Sequence, residues 1–259
     1  MIDFLEIGGV KIAYRVNDDG LSDTRKSLVF IHGSGCDHTL WDYQFKALSG
    51  DFNIVGVDLP GHGRSEGAGE QDVERYVEWV RKIIEALALR KPVLAGHSLG
   101  AAISLTFAVK YGERLSGIVP VGGGVTMPVN EMILDGIRND TATTLTFIAK
   151  FSVTKKNREK FVKPLGDGML KVSPEIIYGD FLSCNRLDIT EEIQKIPVPT
   201  LLICGEDDKM TPPDLSRYMS ENIPGAKLAV IGDAGHFVMQ ENADAFNGVL
   251  KNFIQLIHR

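Results

Sequence analysis

Residues 92–105 constrain this chain more than any other stretch. An apolar run, Pro92-Val93-Leu94-Ala95, meets Gly96-His97-Ser98-Leu99-Gly100, and the small, apolar Ala101-Ala102-Ile103-Ser104-Leu105 follows with helical character. That reads as a strand, a tight turn and a helix, with a serine at the apex. A turn that presents Ser98 outward holds its backbone strained. Bulk two residues to either side would collide with the strand and helix, and glycine fills both places. As a bare pattern, G-x-S-x-G recurs by chance; between a buried strand and a helix it is informative. A serine that merely capped the helix would not need glycine on both sides.

The rest of the chain fits around this unit. Residues 2–7 and 10–16 alternate apolar and polar about Gly8-Gly9, as in a β-hairpin. Continuous apolar runs at 27–31, 53–57, 117–121, 199–204 and 226–231 have the length of strands covered on both faces. Helical periodicity spans 39–48, 71–89 and 242–257; in the second, Val73, Tyr76, Val77, Val80, Ile83, Ile84 and Leu87 recur every three or four residues. Strands alternating with helices predict an α/β fold, here a mostly parallel eight-stranded sheet with helices on both faces.

The alternation stops between 123 and 196. Met132, Ile133 and Ile137, then Leu145, Ile148 and Phe151, then Ile176, Ile177, Phe181 and Leu182 recur at helical spacing, with Pro128, Pro164 and Pro174 expected near helix boundaries. The expected organisation is a core of residues 1–122 and 197–259 with an inserted helical lid at 123–196, and Gly122-Gly123-Gly124 as its hinge.

Composition excludes several classes. Acidic residues outnumber basic ones, for a net charge of −6, and no basic arm is present to neutralise phosphates. Three scattered cysteines make neither a disulfide framework nor a zinc cluster. No run approaches the ~18 apolar residues of a membrane span. The first residues carry acids where a signal peptide would carry bases. These features predict a cytoplasmic protein with neither a nucleic-acid partner nor a membrane span. In the absence of H-E-x-x-H, C-x-x-C, G-x-x-x-x-G-K-[ST] and G-x-G-x-x-G, no metal and no organic cofactor are expected.

In an open parallel sheet, ligands bind beyond the carboxyl ends of the strands. Three such ends carry Ser98, Asp208 and His236, in that order. A serine hydroxyl needs a base beside it, and a histidine base needs a carboxylate to fix its tautomer and stabilise its cation. His32 and His97 sit inside turn motifs, His62 accompanies a Gly-rich turn, and His38 and His258 have no constellation. The run Lys155-Lys156-Asn157-Arg158-Glu159-Lys160 reads as a solvated helix face, and Cys36 as a packing thiol.

Over nearly its whole length the chain resembles the α/β-hydrolase superfamily, in its serine esterase and lipase branch. The matching motifs are His32-Gly33-Ser34-Gly35, Asp58-Leu59-Pro60-Gly61-His62-Gly63-Arg64-Ser65, Gly96 to Gly100, Gly205 to Pro212 and Gly235-His236. The resemblance implies Ser98 as nucleophile, His236 as base and Asp208, three residues after Gly205, as the acid in preference to Asp207. It implies a turn-shaping role for Asp58, and an oxyanion hole from the N–H groups of Ser34 and Leu99. Relatives that use an aspartate at the place of Ser98, the haloalkane dehalogenases and epoxide hydrolases, are excluded. The expected activity is hydrolysis of a carboxylic ester with an apolar acyl or aryl group, with Phe147, Phe151 and Phe181 of the lid as pocket residues. Thioester, lactone or C–C bond hydrolysis on the same residues remains open, as does a ligand receptor with residual activity, which the stretch from His32 to Asp37 also resembles.

Overall fold

In the computed structural model, which describes residues 1–257, eight strands build one sheet; His258 lies outside the described residues. Strands β1 (Ile2–Ile7) and β2 (Val10–Val16) form the hairpin. Next come β3 (Ser27–Ile31), α1 (Asp42–Leu48), β4 (Asn53–Val57), α2 (Val73–Ala86), β5 (Val93–His97), α3 (Leu99–Tyr111) and β6 (Gly117–Val121). Four helices follow: α4 (Glu131–Asn139), α5 (Thr141–Ser152), α6 (Arg158–Met169) and α7 (Pro174–Arg186). The chain then returns to the sheet with β7 (Leu201–Gly205), α8 (Pro213–Asn222), β8 (Lys227–Ile231), the short α9 (Val238–Glu241) and α10 (Ala243–Leu256).

The strand order is β1-β2-β4-β3-β5-β6-β7-β8. The two pairings of β2 are antiparallel, and every other neighbouring pair is parallel. Leu94 at the middle of β5 registers with Val29 on one side and Ile118 on the other. Side chains alternate across each strand, so the apolar runs feed two cores. Val29, Ile31 and Leu94 face α2 and α3, whereas Leu28, Phe30, Val93 and Ala95 face α1 and α10. Helix α2 buries a single stripe, but α3 is buried on every side from Leu99 to Ala108. Its small Ala101, Ala102 and Ser104 allow that close fit against the sheet.

The segment between β6 and β7 leaves the sheet and returns at nearly the same place. Thr126 bridges Asp188, and the Ile189 N–H donates to the Val125 carbonyl at 3.1 Å. Pro174 opens α7 as expected, but Pro164 lies inside α6 and not at a boundary. It is solvent-exposed, and the carbonyl that its missing N–H would have bonded can turn to water. Among the described residues no helix is long and apolar enough to cross a membrane.

Candidate active site

The turn after β5 carries its strain at the serine. Ser98 has φ 53° and ψ −111°, a conformation that costs a side-chain-bearing residue about 1–3 kcal/mol. A Cβ on Gly96 would collide with the Gly100 carbonyl, and one on Gly100 with the Ile31 carbonyl, so neither position can carry a side chain. The Ser98 N–H donates to the Val121 carbonyl at 2.9 Å, which ties the turn to β6. The hydroxyl makes no capping bond to α3, so helix capping does not account for a serine here.

Asp208 follows β7 and His236 follows β8. The His236 Nδ1 lies 2.9 Å from Asp208 Oδ2, with both side chains buried. The carboxylate is held from three further directions: the Met210 and Thr211 N–H groups donate to Oδ1 at 2.9 Å each, and the Thr211 hydroxyl donates to Oδ2 at 2.9 Å. With Nδ1 donating to the carboxylate, Nε2 is the basic nitrogen of the ring. The neighbouring Asp207 is exposed and makes no bond to His236. Two contacts fix the backbone of His236: its N–H donates to Ser152 and its carbonyl accepts from His97 Nε2 at 3.0 Å.

The loop after β3 packs directly on this turn. A Cβ on Gly33 would lie 3.2 Å from Ser98 Cβ and 2.8 Å from His97 Nδ1. Among the described residues, the N–H groups of Ser34 and Leu99 have no protein acceptor. Ser34, Ser98 and His236 open onto one cavity of about 970 Å³, whose other walls come from 126–133, α5, α7 and 209–215. Phe147, Phe151 and Phe181 all line it, and the first two rings stack with centroids 5.8 Å apart. Ser98, His236, Ser34 and the three phenylalanines thus meet around one cavity, with Asp208 buried against His236.

Other residues fall elsewhere. Asp58 accepts from the N–H groups of His38 and Arg64 and from His38 Nδ1 at 2.7 Å, and so holds the turn after β4. His38 therefore has a partner, contrary to the sequence reading, which had no local motif to pair it with. Burial alone would lower its pKa, but the Asp58 carboxylate outweighs that and raises it. His62 is paired as well, with Asp180 of α7 at 2.9 Å. Of the basic run, Lys156 pairs with Asp233 on the surface. Sequence reasoning passed over Thr211 and Asp180, and read Gly122 only as part of a hinge. Asp180 left one trace, as an acid among the apolar Ile176, Ile177 and Phe181 of its helix.

The comparisons agree with this architecture. A hydrolase of Paraburkholderia phymatum named for 2-hydroxy-6-oxononadienedioate and 2-hydroxy-6-oxononatrienedioate is 26% identical over 270 residues, covering 95% of this chain and 92% of the relative. The crystal structure of the enol-lactonase of Burkholderia xenovorans superimposes with a TM-score of 0.90 at 21% identity, covering 98% and 100% of the two chains. A thermophilic esterase does so with 0.86 at 28% identity, covering 99% and 98%. Residues 26–243, which run from β3 to the start of α10 and include every residue around the cavity, match the family described as the alpha/beta hydrolase fold, and this chain belongs to that family.

Proposed function

We propose that the protein is a serine hydrolase that cleaves a carboxylic ester with a small apolar acyl or aryl group. The observation that carries this reading is the buried Asp208–His236 pair, whose histidine opens together with Ser98 onto a mainly apolar cavity. The Ser98 hydroxyl attacks the ester carbonyl while His236 Nε2 takes its proton. The tetrahedral oxyanion lies against the Ser34 and Leu99 N–H groups, each worth roughly 3 kcal/mol when aimed at developing charge. Collapse expels the alcohol, which takes the proton from His236. Water, deprotonated by the same histidine, then attacks the acyl-enzyme, and Ser98 leaves with the proton. Residues 123–196 act as a lid whose phenylalanines select the acyl group, over a core of 1–122 and 197–259.

A second reading is hydrolysis of a lactone, a cyclic ester opened by the same steps; likeness to an enol-lactonase favours it. Cleavage of a C–C bond beside a ketone has the support of the relative named for an oxo-dienedioate. The test is a panel of p-nitrophenyl esters of increasing chain length, run beside lactones and aryl-CoA thioesters, on the parent and on Ser98→Ala and His236→Ala. Each variant is expected to lose about 10³-fold or more in kcat, and the double variant little beyond that, because the pair acts as a unit. Near-parental turnover by Ser98→Ala would overturn the reading. A single turnover followed by stable modification would place the protein among receptors.

A further inference from the structure

Asp180 is a fully buried carboxylate with no part in the steps above. Its Oδ1 accepts from the Tyr76 hydroxyl at 2.6 Å, and its Oδ2 from His62 Nε2 and the Gly35 N–H, both at 2.9 Å. One side chain on α7 thus fastens α2, the turn after β4 and the loop after β3. His62 and Tyr76 are themselves fully buried, so all three bonds are shielded from water.

The bond to Gly35 is the one with a chemical consequence. Gly35 directly follows Ser34, and its N–H belongs to the peptide that joins the two. The loop reads Gly33-Ser34-Gly35, and glycine on both sides of Ser34 leaves its peptides free to rotate at little cost. Gly35 has φ +66°, and its turn is closed by a Cys36 N–H bond to the Gly33 carbonyl at 3.1 Å. Within that turn, Asp180 fixes the orientation of the Ser34–Gly35 peptide and with it the Ser34 backbone. A preorganised donor is worth more than one that must reorient as charge develops.

We propose that Asp180 is a positioning residue for the oxyanion hole, holding the Ser34 N–H in its productive direction from the segment that roofs the cavity. The inference rests on the serine-hydrolase reading. Asp180→Ala should lower kcat at least tenfold with KM changed less than threefold. The affinity of a trifluoromethyl ketone, which forms an oxyanion on Ser98, should fall in step with kcat/KM. Asp180→Asn keeps an acceptor for Gly35 and can donate to the Tyr76 oxygen, so it should retain kcat within about threefold. Tyr76→Phe, which removes the Oδ1 bond and the bond that the Tyr76 oxygen accepts from the Glu70 N–H but leaves Oδ2 with its partners, should lower the urea midpoint and leave kcat near the parent's. If Asp180→Ala does not fold, the near-isosteric Asp180→Leu takes its place, and the Asn variant is decisive by itself. A folded Asn variant that lost kcat more than 30-fold would overturn the proposal, as would an Ala or Leu variant with the parent's kcat and ketone affinity. Should Ser98→Ala keep turning over, the hydrolase reading fails; should Ser98→Ala be inactive and Asp180→Ala fully active, only this inference fails.

Discussion

Gly122 shows how much can depend on one missing side chain. The residue leaves β6 with φ +56°, and a Cβ there would stand 3.2 Å from both Asp208 Oδ2 and His236 Nδ1. Gly122→Ala should therefore displace the pair and add backbone strain of about 1–3 kcal/mol. We expect kcat/KM to fall tenfold or more with a modest loss of urea midpoint; unchanged kcat/KM would mean that the pair adapts. The sequence suggests a hinge at Gly122-Gly123-Gly124, because nothing local shows that an aspartate 86 residues onward will lie against it. Ser98 is legible for the opposite reason: the demand for glycine at 96 and 100 is met within five residues. Asp180 and the partners of His38 and His62 depend on contacts across the chain, and no spacing encodes them; Thr211 lies three residues from Asp208, but its bonds to the carboxylate come from the folded turn.

Among the elements, strands were the easiest to read. Burial on both faces turns β3 to β7 into unbroken apolar runs, whereas a helix of the inserted segment can be apolar on two sides for two reasons. In α5, Leu145, Ile148 and Ala149 are buried in the core, while Phe147 and Phe151 keep 55% and 39% of their surface exposed and line the cavity. Periodicity finds such a helix but does not separate its packing face from its binding face. Phe147 and Phe151 are the better targets for this reason, since truncating them opens no hole in the core. Each methylene that a substrate buries is worth about 0.8 kcal/mol, or nearly fourfold in kcat/KM. Phe147→Ala and Phe151→Ala should move the acyl-chain-length cutoff and leave acetyl ester hydrolysis within a few fold. Parental profiles in both folded variants would assign selectivity to the core loops.

At the scale of the whole molecule, four buried histidines set opposing trends in stability. Burial would lower His38 and His62, but Asp58 and Asp180 outweigh it and hold both above the ordinary 6.5. Their contribution is complete below pH 6.5 and is lost as pH rises through the folded values. Burial, with His62 close by, lowers His32 to about 4, and burial beside His236 holds His97 well below 6.5. Between pH 6.5 and about 4 the unfolded chain takes up protons that these two rings refuse, so stability declines as the solution is acidified. The urea midpoint should therefore peak near pH 6.5, and His38→Asn should flatten its alkaline side; a midpoint still rising at pH 8 would show that the raised histidines do not govern it. The bridge from Thr126 to Asp188 acts at the same scale. It brings the two ends of a long excursion together, so the chain leaves and rejoins the sheet at one place. Closing a flexible loop costs about 0.6 kcal/mol for each doubling of its length. The strands are thus nearly indifferent to the number of residues between those two positions, so chain could be added at an exposed turn of the excursion without rebuilding the sheet, whereas Asp180 and the buried residues of α5 tie the rest of it to the core.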